Sequence, residues 1–143
     1  MQRSIEFLLR VANRRSEKLA NQQLAQYDLT STQYRTLTYL SHRPPMTVRQ
    51  CDIEVFFSKS NPAVTGILNN MEQKGLVQRV VNPADARSKV LLVTQKGMEL
   101  VAQLEQWQNR MNQLLTEGMT EEESTILAVL LQKMINNPNL QNL

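Results

Sequence analysis

Apolar residues at Ile5, Leu8, Leu9, Ala12, Leu19, Ala20 and Leu24 recur at close to three- and four-residue spacing, which predicts one long helix over Arg3–Gln26. Three later starts share a chemical signature. Thr30 with Gln33, Thr47 with Gln50 and Thr120 with Glu123 each set a hydroxyl three residues before an amide or carboxylate, the pattern of a capping box. A second helix is predicted over Ser31–His42, burying Tyr34, Leu37 and Leu40 and stopped by Arg43-Pro44-Pro45. A third spans about Val48–Phe56. Ser58 or Ser60 caps a fourth, with Pro62 in its first turn, Val64, Ile67, Leu68 and Met71 facing inward, and Gly75 closing it at the left-handed C′ position.

The period then changes. Leu76–Val81 and Val90–Thr94 read as two strands flanking a loop that holds Pro83, Asp85, Arg87 and Lys89. Lys96–Glu117 returns to helical spacing through Met98, Val101, Leu104, Met111, Leu114 and Leu115, and Gly118 breaks it. A last helix over Glu121 to about Asn136 carries Ile126, Leu127, Leu130, Leu131, Met134 and Ile135, and the tail NNPNLQNL is expected to fray. The predicted fold is mainly α with a small β-hairpin wing, a winged helix-turn-helix over residues 30–97. The helices of 1–29 and 98–143 carry more apolar surface than so small a core can cover, so they are expected to be dimerisation helices of a homodimer.

At 143 residues, 41% hydrophobic and 5% aromatic, the chain suits one small helical domain filled by aliphatic side chains, with helices left to pair with a second copy. No apolar run approaches a membrane span, and Arg3, Glu6 and Arg10 interrupt the first apolar positions, so no membrane role and a cytoplasmic location are expected. The single cysteine, Cys51, agrees with a reducing compartment, and its place among apolar residues of the third helix suggests a small core residue.

Charge is segregated. The net value is +3 over Met1–His42, +4 over Arg43–Lys96 and −4 over Gly97–Leu143. The basic excess lies with the fourth helix and the hairpin, and a helix sized for a major groove followed by a basic finger points to double-stranded DNA as partner. No phosphate-cradling glycine loop, paired carboxylate setting or nucleophile beside a histidine is present, so no enzyme is read here. His42 stands at a helix end without a metal-spaced cluster, and neither a metal nor a cofactor is expected.

The run SNPAVTGILNNMEQKG followed by LVQRVVNPADARSKVLLVTQKG resembles the MarR family of bacterial transcriptional regulators. The hallmark wing and following segment are carried by Asp85, Arg87, Lys89, Leu91, Val93, Thr94, Lys96 and Gly97, with Val93 where the family more often has Leu. Gly66 replaces a longer, frequently basic residue, Ala86 a frequent Arg, and Asp52 a small apolar residue. The resemblance implies a dimeric repressor that inserts two recognition helices into DNA and is relieved by a small aromatic or phenolic anion. It fixes no ligand residues. Trp107, Met98, Met111 and Met119 are open to either cavity lining or core and dimer contact.

The candidate DNA-contacting residues are Ser58, Lys59, Ser60, Asn61, Thr65 and Asn69 on or before the fourth helix, and Arg79, Asp85, Arg87 and Lys89 in the wing. Asn61 suits an adenine edge and Thr65 a hydrogen bond or a thymine methyl, whereas Ser58 and Ser60 serve equally as N-caps or phosphate ligands. Arg87 would enter a minor groove with Asp85 shaping the turn, and Lys89 would meet a phosphate. The same hairpin also reads as a solvated charged turn. With Gly66 and Ala86 short, a winged-helix protein-interaction module with little specific DNA binding is the alternative.

Overall fold

A computed structural model describes residues 3–141; Met1, Gln2, Asn142 and Leu143, the outer ends of the first and last predicted segments, lie outside the described residues. Two compact units are present, Met1–Gln106 and Trp107–Leu143. The first runs α1 (Ile5–Leu24), a 3-10 turn (Ala25–Tyr27), α2 (Ser31–Ser41), α3 (Gln50–Phe57), α4 (Asn61–Gln73), β1 (Val77–Asn82), β2 (Asp85–Val93) and α5 (Gln95–Gln103).

Local chemistry explains most boundaries. Thr30 and Gln33 form the expected reciprocal box, with Gln33 N–H donating to the Thr30 hydroxyl and Thr30 N–H to the Gln33 amide oxygen. Thr94 caps α5 by accepting from Gly97 N–H at 3.1 Å. Thr47, in contrast, caps nothing, and its hydroxyl donates to the Pro44 carbonyl at 2.6 Å. The reason lies one residue later. Val48 is buried, and its carbonyl accepts from Leu91 N–H of β2 at 2.8 Å, so helix three begins only at Gln50. There Asp52, unusual for an inward position, accepts from Arg49 N–H at 2.8 Å and satisfies an orphan amide of the first turn.

Asp28, Ser58 and Gly75 all take left-handed φ values, 55°, 51° and 73°. Each follows a helix end with the paired bonds of a Schellman motif. After α4, Gly75 N–H reaches the Glu72 carbonyl and Leu76 N–H the Met71 carbonyl, and both Met71 and Leu76 are buried.

The core of this unit gathers Leu37 and Leu40 of α2, Ile53 of α3, Val64, Leu68 and Met71 of α4, Val77 of β1, Val90 and Leu91 of β2, and Leu104. Truncating a fully enclosed leucine of this kind costs about 2 to 5 kcal/mol. Tyr34 is half-buried, and burial lifts its phenol above the ordinary tyrosine value. Cys51 was expected inside but is exposed. With Ile53 fully enclosed, a residue two positions earlier is rotated about 200° around the helix and faces solvent.

A buried polar junction ties the start of α2 to the end of α4. The Gln33 amide donates to Asn70 Oδ1 at 2.9 Å, and Lys74 Nζ donates to Gln33 Oε1 at 3.1 Å and to the Asp28 carbonyl at 2.5 Å. Asn21 and Glu17 of α1 receive Ser31 N–H and Ser31 Oγ, which fixes α1 on α2.

Two predicted segments are subdivided. The hairpin connection is only Pro83-Ala84, so Asp85, Arg87 and Lys89 lie on β2 and not in an open loop. The predicted helix over Lys96–Glu117 separates into α5 and a helix α6 (Trp107–Leu115). Its backbone tightens to three-residue bonds at Leu104 and Glu105, without a glycine or proline to announce the break.

In the second unit α6 is followed by α7 (Glu121–Ile135) and α8 (Pro138–Gln141). Gly118, at φ 86°, turns the chain before Thr120 and Glu123 close the predicted capping box. The tail expected to fray holds a short helical turn at Pro138–Gln141. The apolar residues Ile126, Leu127, Leu130, Leu131 and Ile135 of α7 are exposed.

Gly97 and Gly66 make opposite predictions for the same change. A methyl at buried Gly97 would run into the Leu76 carbonyl oxygen and the Val93 side chain, whereas one at Gly66 meets nothing within 4 Å. In chemical denaturation, Gly97→Ala is expected to lose about 1 to 3 kcal/mol, and Gly66→Ala to gain about 0.5 to 1 kcal/mol from helix propensity.

Candidate nucleic-acid interface

Helix α3, a three-residue turn and α4 make the helix-turn-helix. Ser58 is the hinge of that turn, left-handed, with its N–H on the Val55 carbonyl and Lys59 N–H on the Glu54 carbonyl. Of the two serines that suited an N-cap, Ser60 takes the role, accepting Ala63 N–H at 3.3 Å. Ser58, Lys59, Ser60 and Asn61 are all exposed at the N-terminal end of α4, and Pro62 costs no hydrogen bond in that first turn. Asn69, two turns on, is exposed as well.

Two residues of α3 reach into this end of α4: Glu54, not singled out in the sequence, and Gln50, which the sequence suggested only as a capping partner of Thr47. Glu54 Oε2 accepts from Asn61 Nδ2 at 3.0 Å. Gln50 Nε2 donates to Thr65 Oγ1 at 2.8 Å and to the Asn61 carbonyl at 3.4 Å. Gln50 and Glu54 are spaced i, i+4 and so share a face of α3. That spacing was visible in the sequence, but the packing that aims the face at α4 was not.

The wing is irregular in a specific way. Val77–Val81 pair with Val93–Lys89 in unbroken antiparallel register, and then Asn82 pairs with Asp85. Ala86, Arg87 and Ser88 are left as a bulge with no partner on β1. Side chains hold it. Asn82 Oδ1 accepts from Ala84 N–H, Asn82 Nδ2 donates to Ser88 Oγ, and Ser88 Oγ donates to the Asp85 carbonyl. Asp85 Oδ1 accepts from both the backbone N–H and the Nε of Arg87, at 3.0 and 3.3 Å. The Arg87 side chain is nevertheless 92% exposed, tethered at its Nε with its terminal nitrogens facing solvent. Lys89, opposite Val81, is also exposed.

Arg79 differs from the other basic candidates. It leaves β1 toward α4, where Nη1 donates to Asn69 Oδ1 at 3.0 Å and forms an ion pair with Glu72. Its side chain is only 19% exposed. The structure therefore joins Asn69 and Arg79 to one another, places Ser58, Lys59, Ser60 and Asn61 and the wing's Arg87 and Lys89 on outer surfaces, and leaves Thr65 and Asp85 half-buried. Among the described residues no group of His, Cys, Asp and Glu could hold a metal, and no helix is long and apolar enough to cross a membrane.

A helix-turn-helix whose second helix is followed by a two-stranded hairpin and a further helix defines the winged helix-turn-helix class. The MarR family's sequence profile matches residues 29–89, the span from the start of α2 into the wing. The multiple antibiotic resistance protein MarR of Escherichia coli (strain K12) is 28% identical over 129 residues, covering 90% of this chain and 88% of that protein. A crystal structure of an S. aureus MepR–DNA complex superposes with a TM-score of 0.80 at 30% identity, over 94% of this chain and 98% of that one. The reduced form of MarR from E. coli superposes with a TM-score of 0.86 at 25% identity, again over 94% and 98%. This chain belongs to the MarR family of winged-helix regulators.

The N-cap of α4 is a direct test of the local account. Ser60→Ala is expected to lower unfolding free energy by about 1 kcal/mol, measured by urea denaturation, with Ser58→Ala, which removes no cap, nearly neutral.

Proposed function

We propose that the protein is a homodimeric, sequence-specific DNA-binding transcriptional regulator, a repressor relieved by a small ligand. One observation carries this reading: an exposed polar helix N-terminus and an exposed, aspartate-tethered arginine on a bulged wing stand on one lobe, joined through Arg79. The MepR relative was crystallised with DNA, and its fold superposes on this chain with a TM-score of 0.80. Asn61 and Thr65 are assigned to base edges in the major groove. Ser58, Lys59 and Ser60 are assigned to the backbone at the helix N-terminus, where N–H groups favour phosphate. Arg87 is assigned to the minor groove, Lys89 to a phosphate and Asp85 to aiming Arg87. Asn69 and Arg79, already engaged with each other, brace the wing against α4.

Dimerisation is supported by apolar surface that the chain leaves uncovered. Ile5 and Leu8 of α1 are exposed, as are Ile126, Leu130 and Ile135 of α7. We assign residues 1–29 and 98–143 to that interface and 30–97 to DNA. Two copies would place two recognition helices about one helical turn apart on a pseudo-palindromic site. For the ligand, a pocket of about 310 Å³ lies among Leu40, Arg43, Pro45, Met46, Leu92 and Met98. Its apolar walls and one guanidinium suit a small aromatic or phenolic anion, and a ligand there bears directly on β2. Such a ligand relieves repression only by binding the DNA-free arrangement more tightly than the bound one.

One observation favours the second reading, a protein-interaction module. Val55 is 80% and Phe56 50% exposed, and the Phe56 ring packs, tilted, against Tyr39 with centroids 4.5 Å apart beside Arg43, a surface of the kind that seats a protein partner.

The two readings separate in a salt titration on a selected duplex. With Lys59 and Lys89 on phosphates and Arg87 in the minor groove each displacing about one counterion in both subunits, about six charges are neutralised and the log–log slope of affinity against salt is about −5. Arg87→Ala should weaken binding on all sequences and bring that slope to about −4; a slope near zero for the wild type means DNA is not the partner. Millimolar hydroxybenzoate should weaken duplex binding in the wild type and have no effect on Arg43→Ala. If both proteins respond alike, the pocket is not the site of relief.

A further inference from the structure

Resting on the assignment of Asn61 and Thr65 to base edges, we propose that α3 decides what those two residues read: Glu54 and Gln50 fix the polarity each presents to DNA, making Glu54 a specificity-determining positioning residue. An asparagine amide has two orientations, related by a flip that exchanges an acceptor for a donor. An ionised carboxylate only accepts. With Glu54 Oε2 at 3.0 Å, the Asn61 amide nitrogen must face Glu54, and Oδ1 is turned away from it. Asn61 is exposed while Glu54 is half-buried behind it, so the outward group is the acceptor.

The logic at Thr65 is the mirror of this. The Asn61 carbonyl that receives Gln50 Nε2 is also acceptor-only, which fixes the Gln50 amide with its nitrogen toward α4. That nitrogen donates to Thr65 Oγ1 at 2.8 Å, filling one of the hydroxyl's two lone pairs and leaving its proton to be donated. Asn61 thereby reads a base amine, adenine N6 or cytosine N4, and Thr65 reads a base acceptor, guanine N7 or O6 or thymine O4. Neither preference is inherent in asparagine or threonine. Both come from a helix that need not touch a base.

The test is selection of bound duplexes from a random pool by the full-length protein, its variants Glu54→Gln, Glu54→Ala and Asn61→Ala, and the double variant Glu54→Gln/Asn61→Ala. In the wild type, one position per half-site should require adenine or cytosine by about fivefold or more. Asn61→Ala should relax that position and so identify it. Glu54→Gln keeps the side chain's size but permits either amide orientation, and should relax the same position and no other. The double variant should match Asn61→Ala alone. Glu54→Ala, checked by its melting temperature, should behave as Glu54→Gln does. A full adenine-or-cytosine preference retained in Glu54→Gln overturns the proposal, as does an equal loss at every position or an Asn61→Ala protein with no relaxed position. If the wild type enriches no motif at all, the DNA-regulator assignment fails with it, so the two failures are told apart by the wild-type pool.

Discussion

The recognition helix and the wing are held together at one root. The consecutive carbonyls of Lys74, Gly75 and Leu76, where α4 ends, are all taken by the segment that closes the hairpin: Lys96 Nζ to the first, Thr94 Oγ1 to the second and Thr94 N–H to the third. The carbonyl of the helix cap and those of the two residues after it are thus satisfied by residues about twenty positions later. The arrangement demands that α5 start hard against the end of α4, which is why Gly97 has no room for a side chain. It also demands the left-handed turn at Gly75. Wing and helix therefore share one anchor, and the Arg79 contacts with Glu72 and Asn69 add a second along their length. A displacement of one is thereby transmitted to the other.

The sequence made elements legible wherever the signal was local. Hydroxyl and amide pairs at Thr30 and Thr120, the prolines after His42, and Gly75 each act within a few residues, and each boundary fell close to where they placed it. Thr47 misled for a reason that is not local, because the Val48 carbonyl is committed to β2 more than forty residues away. The same is true of Cys51, whose surroundings read as core until the orientation of α3 is known. Leu104 broke a long periodic helix with no breaker in sight.

The candidate site shows a similar division. Residue types at the start of α4 and in the wing advertised themselves by chemistry, and Ser58, Lys59, Ser60, Asn61, Arg87 and Lys89 are exposed. Their partners did not. Arg79 looked like any other basic wing residue, yet its charge is spent inside the lobe. Glu54 looked like an ordinary polar helix position, and Gln50 like a capping partner of Thr47. Charge content alone cannot distinguish a cation facing solvent from one facing a carboxylate, because the difference is set by strand register and helix packing.

The bulge at Ala86–Ser88 separates two lengths that a regular hairpin would tie together. In a regular hairpin, the distance an arginine projects is set by how many residue pairs precede it, and changing that number by one inverts which side chains face the core. Here the pairing of Val77–Val81 with Lys89–Val93 is complete before the bulge begins. Residues can be added or removed beyond Val81 without disturbing Val77, Val90 or Leu91 in the core. The length of the wing is free to vary while the lobe that carries it stays the same.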